Sequence, residues 1–369
     1  MTSAARRIHH KKIAIVLPLK ESFSPHNAGA IALSVRDQSL SSVYCEKITV
    51  YSACEGPGFN GVNFTCIKLP WLQYQPKNRL YAKALVKQLI MDGADQVEVH
   101  NRVALFQFLK AKLPHCSVSL VLHNDPSAIR GLESPNKRHE ILDVADGIIC
   151  VSHYLKSAYS LGLVQGLDKI HVVPHGLNFE KLSKIHKQKT IIFVGRIVPG
   201  KGAEYFAEAL VRVLPDFPQW KAVFAGASQF GQAQPGSQLE RDVVATLKPL
   251  GDQVQYLNAL PHGQIMQQFS QAEIAVNPSE LPEGFGRVAL EAMASQCALI
   301  STQCGGLADV TSQGVLILDV VNAKVIEQFL RQLIVDEDVR KQYQRSGFSF
   351  AQQNFDIENT VNVLDQIRG

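Results

Sequence analysis

Ile274-Ala275-Val276-Asn277 runs through Pro278-Ser279-Glu280-Leu281-Pro282 into Glu283-Gly284-Phe285-Gly286-Arg287-Val288-Ala289-Leu290-Glu291. The short apolar run lacks polar alternation, which is how a strand buried on both faces of a parallel sheet reads. A loop follows, and a helix begins near Arg287. Gly284 and Gly286 bring bare backbone N–H groups to the start of that helix. Its free donors and partial positive charge suit a diphosphate or a sugar hydroxyl. Glu283 lies in the loop and Glu291 in the helix, so two carboxylates can accept from hydroxyls on different parts of one ligand. Acidic residues near a helix start are common because the macrodipole favours them. The preceding strand, the two glycines and Ala292-Met293-Ala294 favour the ligand-binding reading here.

The same alternation extends in both directions. Toward the N-terminus, strands are expected at Ile13–Leu17, Ile48–Tyr51, Val97–Val99, Val118–Leu122, Gly147–Val151 and Ile170–Val173. Helical segments such as Asn78–Met91 and Val103–Leu113 fall among them. The polar stretch Leu177–Lys189, with Lys181, Lys184, Lys187 and Lys189, reads as an interdomain linker. The pattern then restarts at Ile191–Val194 and ends in a helix at Ile357–Arg368. The expectation is an α/β protein of two Rossmann-like domains, residues 1–180 and 181–354, with a helix at about 355–369 crossing back onto the first. Ligands sit beyond the carboxyl ends of such strands. Two sheets facing one another would form a donor cleft between them.

Composition agrees. A chain of 369 residues exceeds one ordinary core. With 46% hydrophobic and 19% charged residues it reads as globular rather than disordered. A net charge of +4 suits an anionic small molecule or an acidic membrane surface, and is too weak to imply nucleic acid. The seven cysteines form no C-x-x-C pair and read as reduced thiols. No H-E-x-x-H spacing or Cys/His cluster is present, and no metal or other cofactor is expected. No apolar run is long enough to span a bilayer. The basic start, with Arg6, Arg7, Lys11 and Lys12, leads into too short an apolar stretch for a signal peptide. A cytoplasmic location is expected, with peripheral attachment to the inner membrane face as an alternative.

A second signal is Val194-Gly195-Arg196, followed by Pro199-Gly200-Lys201-Gly202. A strand ends, the chain turns on glycines, and a helix starts near Ala203. Arg196 offers a planar fork and Lys201 a mobile point charge for phosphate oxygens. The spacing is not that of a P-loop. Together, V-G-R-x-x-x-x-K-G and E-G-F-G-x-x-x-x-E resemble the retaining GT-B glycosyltransferases of family 4. Val172-Val173-Pro174-His175-Gly176-Leu177 looks like the family's V-P-N-G-V segment, with His175 replacing Asn. Phe224-Ala225-Gly226 looks like the turn beneath the nucleotide. Cys304-Gly305-Gly306 with Asp309 looks like the later G-G-x-x-E element, with Asp in place of Glu.

The resemblance implies that Arg196 and Lys201 meet the donor diphosphate, Glu283 the transferred sugar, and Glu291 the ribose. Gly284, Phe285 and Gly286 would offer backbone contacts. In the first domain the family's glycine-rich loop corresponds to Pro25-His26-Asn27-Ala28-Gly29-Ala30, where Gly29 remains without a second adjacent glycine. A histidine near the reacting carbon is expected at His123, with His100 as the competitor. The implied activity is retaining hexosyl transfer from a nucleotide-diphospho-sugar, UDP-linked by preference and GDP-mannose as the alternative. The acceptor would be a glycan or lipid-linked molecule in bacterial envelope polysaccharide or lipopolysaccharide synthesis. A nucleotide-sugar 2-epimerase and a catalytically silent sugar-nucleotide-binding scaffold are the rival readings. Trp71, Leu72 and Tyr74 precede Arg79, Lys83 and Lys87, which recur every four residues. Residues 71–89 could therefore lie on an anionic membrane surface, or form an ordinary helix with a solvated basic face.

Overall fold

The computed structural model describes residues 11–53, 56–69, 75–182, 186–228 and 236–369. Arg6, Arg7, Cys54, Trp71, Leu72, Tyr74 and Lys184 lie outside these residues. The chain divides into two compact units, Met1–Gly176 with Ile357–Gly369, and Leu177–Asp356.

Among its described residues the first unit holds seven strands: β1 (Ile13–Val16), β2 (Ile48–Ser52), β3 (Asn63–Cys66), β4 (Gln96–His100), β5 (Ser117–Leu122), β6 (Gly147–Cys150) and β7 (Ile170–Val172). They form one parallel sheet in the order β3-β2-β1-β4-β5-β6-β7. β1, β4 and β6 are buried along their whole length. That explains the uninterrupted apolar runs of β1 and β6, since helices cover both faces of a parallel sheet; β4, Gln-Val-Glu-Val-His, is buried although it alternates. The helices are Ala30–Ser41, Lys77–Asp92, Val103–Lys112, Pro135–Val144, His153–Ser160 and the C-terminal Ile357–Arg368.

That last helix is tied in by charge as well as by apolar packing. Arg368 is fully buried and donates to both carboxylate oxygens of Glu98 on β4, at 2.8 and 2.9 Å. It also reaches Asp365, whose carboxylate accepts from the Ser42 hydroxyl and the Val43 N–H. Gly176 lets the helix approach, because a Cβ there would lie 2.8 Å from the Ile357 Cα.

The second unit holds β8 (Gln188–Val194), β9 (Lys221–Ala225), β10 (Val254–Tyr256), β11 (Ala272–Asn277), β12 (Ala298–Ser301) and β13 (Val315–Ile317). Its parallel order is β10-β9-β8-β11-β12-β13. The helix Ala203–Val213 covers β8 and β9, and Phe193, Phe206 and Phe224 form a contiguous aromatic core with centroids 5.0 to 6.1 Å apart. The expected linker is shorter than its lysines suggest. β8 begins at Gln188, and the Lys187 ammonium donates to the carbonyls of Phe269 and Ser295 at 3.3 and 2.6 Å. Lys187 is therefore a strap across the sheet's lower edge rather than a solvated linker charge.

In both sheets the strand order reverses direction between two neighbouring strands, β1 and β4 in the first and β8 and β11 in the second. At such a switch point the loops leave on opposite faces and open a crevice beyond the strand ends.

Removing one partner of a buried ion pair strands the other in low dielectric, at about 3–5 kcal/mol. Arg368→Ala should therefore lower the urea-unfolding free energy of the first unit by about that much. A loss under 1 kcal/mol would show that the pair does not hold the C-terminal helix.

Candidate active site

The loops leaving β8 and β11, one on each side of the second switch point, carry the two sequence signals. The β8 loop runs through Gly195, Arg196, Gly200, Lys201 and Gly202, and the β11 loop through Pro278 to Gly286. They are joined by backbone bonds: Glu280 and Leu281 N–H donate to the Gly200 carbonyl at 2.8 and 3.3 Å. Gly200 and Gly202 have φ of 83° and 70°, a left-handed conformation that glycine adopts without strain. A Cβ on Gly202 would also lie 2.4 Å from the Pro278 carbonyl.

A third loop, after β12, completes the cluster. Glu283 N–H donates to the Cys304 carbonyl at 3.2 Å, and Gly306 N–H to the Glu283 carbonyl at 2.7 Å. Gly305 and Gly306 allow this approach, since a Cβ on either would lie within 2.6 Å of a β11-loop carbonyl oxygen. Gly286, at φ 110°, then caps the helix Arg287–Ala294. Phe285 turns its ring inward, edge-on to Phe355 at 5.5 Å. The inward ring anchors the turn.

Each predicted residue of the second unit can now be placed. Lys201 and Glu283 are brought together as a half-buried ion pair. Arg196 stands exposed on the β8 loop. Glu291 is buried on the helix, and its Oε1 accepts from Arg287 Nε at 2.7 Å and from His262 Nε2 at 2.8 Å. Burial alone would raise the Glu291 carboxyl, but the His262 and Arg287 charges and hydrogen bonds hold it down at about 2. His262 was not singled out in sequence. It opens the helix His262–Gln271, ahead of the apolar periodicity that marked that segment from Ile265 onward.

In the first unit the two candidate histidines, His100 and His123, lie side by side. His100 ends β4, His123 follows β5, and His100 Nδ1 lies 2.8 Å from His123 Nε2 with the rings stacked. His175 packs against His123, ring centroids 5.3 Å apart, and bonds the Ser34 hydroxyl. His100 Nε2 and His123 Nδ1 are buried with no partner among the described residues. Asn101, at φ 55°, fixes the strand ends: its Oδ1 accepts from His123 N–H at 2.8 Å and its amide donates to Asn124 at 2.6 Å. Sequence pattern gave no hint of Asn101. Gly29 caps the helix Ala30–Ser41, where the Glu21 carboxylate already accepts from Ala32 N–H at 3.2 Å. A Cβ on Gly29 would lie 2.6 Å from Glu21 Oε1. That helix start therefore donates to a carboxylate of its own chain.

Among the described residues no group of three or more His, Cys, Asp or Glu side chains is arranged to hold a metal. No helix among them is long and apolar enough to cross a membrane.

Burial holds the His100 imidazole down at about 3, with Arg368 and His175 adding to the effect. Burial, then His100, lowers His123 well below its usual value. The unfolded chain therefore takes up these protons first, and stability is lost as pH falls below about 6.5 toward about 3. Glu291 acts in a separate window, its contribution present above about 4.5 and lost as pH falls toward about 2. Urea unfolding of the first unit at pH 5.5 should thus be weaker than at pH 7 by about 1 kcal/mol per imidazole. Unchanged stability over that interval would mean that these histidines are solvated.

Residues 176–349 match the family model described as Glycosyl transferases group 1. Spore coat protein SA of Bacillus subtilis strain 168 is 24% identical over 317 residues, covering 78% of this chain and 82% of that protein. The lipopolysaccharide core biosynthesis mannosyltransferase LpcC of Rhizobium leguminosarum bv. viciae is 26% identical over 175 residues, covering 47% of this chain and 48% of that enzyme. The chain thus spans about half the length of one relative and about four fifths of the other. Anabaena HepE, solved in complex with UDP and glucose, matches with a TM-score of 0.77 over 97% of this chain and 99% of that one, at 16% identity. This likeness shows the fold, that of the GT-B glycosyltransferases. The family match over residues 176–349, just under half of the chain, and the named relatives indicate a glycosyltransferase.

Proposed function

We propose that the chain is a retaining hexosyltransferase of family 4 that takes its sugar from a nucleotide-diphospho-sugar. One observation carries the reading. The second unit's switch point gathers Arg196, Lys201, the Glu283 carboxylate and a glycine-led helix N-terminus at the loops after β8 and β11. A diphosphate needs cations and backbone donors, and a sugar needs a carboxylate acceptor. Those groups stand on adjoining loops here.

In the reaction the bond between the anomeric carbon and the diphosphate oxygen breaks as the acceptor hydroxyl oxygen bonds to that carbon. The acceptor's proton passes to the departing phosphate oxygen. Charge develops on the diphosphate, so Arg196 and Lys201 contribute most in the transition state. Glu291 is assigned to the ribose and His123 to the sugar. No cofactor enters the scheme. UDP is the favoured nucleotide, supported by the UDP and glucose in HepE, with GDP-mannose the alternative. A glycan or lipid-linked acceptor in envelope or lipopolysaccharide synthesis is supported by the likeness to LpcC, a lipopolysaccharide core biosynthesis mannosyltransferase.

The helix Lys77–Asp92 exposes Lys77, Arg79, Lys83 and Lys87, and beside them Ile90 and Met91. That combination supports attachment to an anionic bilayer. Lys83→Glu with Lys87→Glu should abolish co-sedimentation with anionic vesicles, and unchanged co-sedimentation would remove the membrane assignment.

Calorimetry with UDP-, GDP- and ADP-sugars should show one tight donor, lost in Arg196→Ala/Lys201→Ala. Lys201→Ala and Glu283→Ala should each lower transfer by about 10²–10³-fold in folded protein. Donor binding with no turnover would support a silent scaffold, and conversion of the nucleotide-sugar without an acceptor would support the epimerase.

A further inference from the structure

The two hydrogen bonds to Glu291 end on the same oxygen. Arg287 Nε and His262 Nε2 both donate to Oε1, while Oε2 accepts none among the described residues. Arg287 sits one helical turn before Glu291 on the same helix, so it fixes the carboxylate from within that element. His262 comes from a different helix, whose first residue it is. A carboxylate held by one donor swings about its terminal bond. Held by two donors from different helices, it presents its second oxygen in one direction.

We propose that His262 is a positioning residue for Glu291, anchoring Oε1 so that Oε2 is aimed at the ribose diol of the nucleotide. The proposal rests on the assignment of Glu291 to the ribose. His262 need not touch the ligand; it acts through the carboxylate. Its side chain is 16% exposed and that of Glu291 4%, so the contact is shielded and the anchoring is not averaged away by water. The role is separate from that of Lys201 and Glu283, which belong to the diphosphate and sugar. Loss of His262 should therefore weaken recognition of the nucleoside while leaving the chemical step of bound donor intact.

The test compares UDP with 2′,3′-dideoxy-UDP by calorimetry, GDP and its dideoxy form being run in parallel, in wild type, His262→Ala, His262→Gln and Glu291→Gln. Thermal melting confirms that each is folded. A hydrogen bond to a charged acceptor is worth about tenfold or more in affinity, so the wild type should prefer the intact ribose by that factor. His262→Ala should reduce the preference severalfold, with KM for the donor raised and kcat little changed. His262→Gln keeps a donor at this position and should restore most of the preference. A full preference in His262→Ala alongside its loss in Glu291→Gln would overturn the positioning role. A full preference in Glu291→Gln would overturn the ribose assignment itself, and the proposal with it.

Discussion

The candidate site depends on a backbone seam between two loops that are distant in sequence. Glu283 exchanges hydrogen bonds with the chain at Cys304 and Gly306, and neither Gly305 nor Gly306 has room for a Cβ. The seam fixes the Glu283 backbone, and with it the direction of the carboxylate. Gly200 and Gly202 perform the same service for Lys201, through the Gly200 carbonyl and the close approach to Pro278. Backbone bonds hold both charged side chains on loops that would otherwise be mobile, which is what preorganised electrostatics requires. The C-G-G element is thus explained by sterics before any ligand is considered.

The charges are arranged in two layers that differ in burial. Lys201 and Glu283 form a half-buried pair, and solvent limits its contribution to stability. A diphosphate arriving there would compete with Glu283 for the Lys201 ammonium, freeing the carboxylate for a sugar hydroxyl. The Glu291 pairings with Arg287 and His262 are buried, and breaking one leaves an unpaired charge in a poor dielectric. The outer pair is therefore suited to exchange with a ligand and the inner cluster to holding its shape. In the first unit the histidine pair follows a different principle. Burial, with Arg368 and His175 acting on His100 and His100 on His123, favours the neutral imidazoles, which can serve as hydrogen-bonding groups without adding charge.

Much of the fold was legible because parallel strands buried on both faces leave uninterrupted Val/Ile runs. The strand at Asn63–Cys66 was not, because Asn-Phe-Thr-Cys lies at the sheet edge and is only partly buried. Nor are the helices Ala30–Ser41 and Pro135–Val144 legible, since serines, charges and short apolar stretches blur their periodicity. Where a helix's first turn is polar the apolar periodicity begins after the true start, and His262 lies in such a turn. Lys201 and Glu283 could be nominated from glycine placement and charge, but their pairing depends on strand order, which the sequence does not print. The same holds for His100 and His123: each ends or follows a strand, and only the β4–β5 adjacency makes them a pair. Asn101 depends on its left-handed backbone, which no periodicity announces.

The most direct test of the central claim is a crystal structure of the protein with a bound nucleoside diphosphate. The account predicts phosphate oxygens against Arg196, Lys201 and the backbone N–H groups at Gly286, with the Lys201 ammonium turned from Glu283 toward the diphosphate. A nucleotide bound elsewhere, with Lys201 and Glu283 still paired, would contradict it.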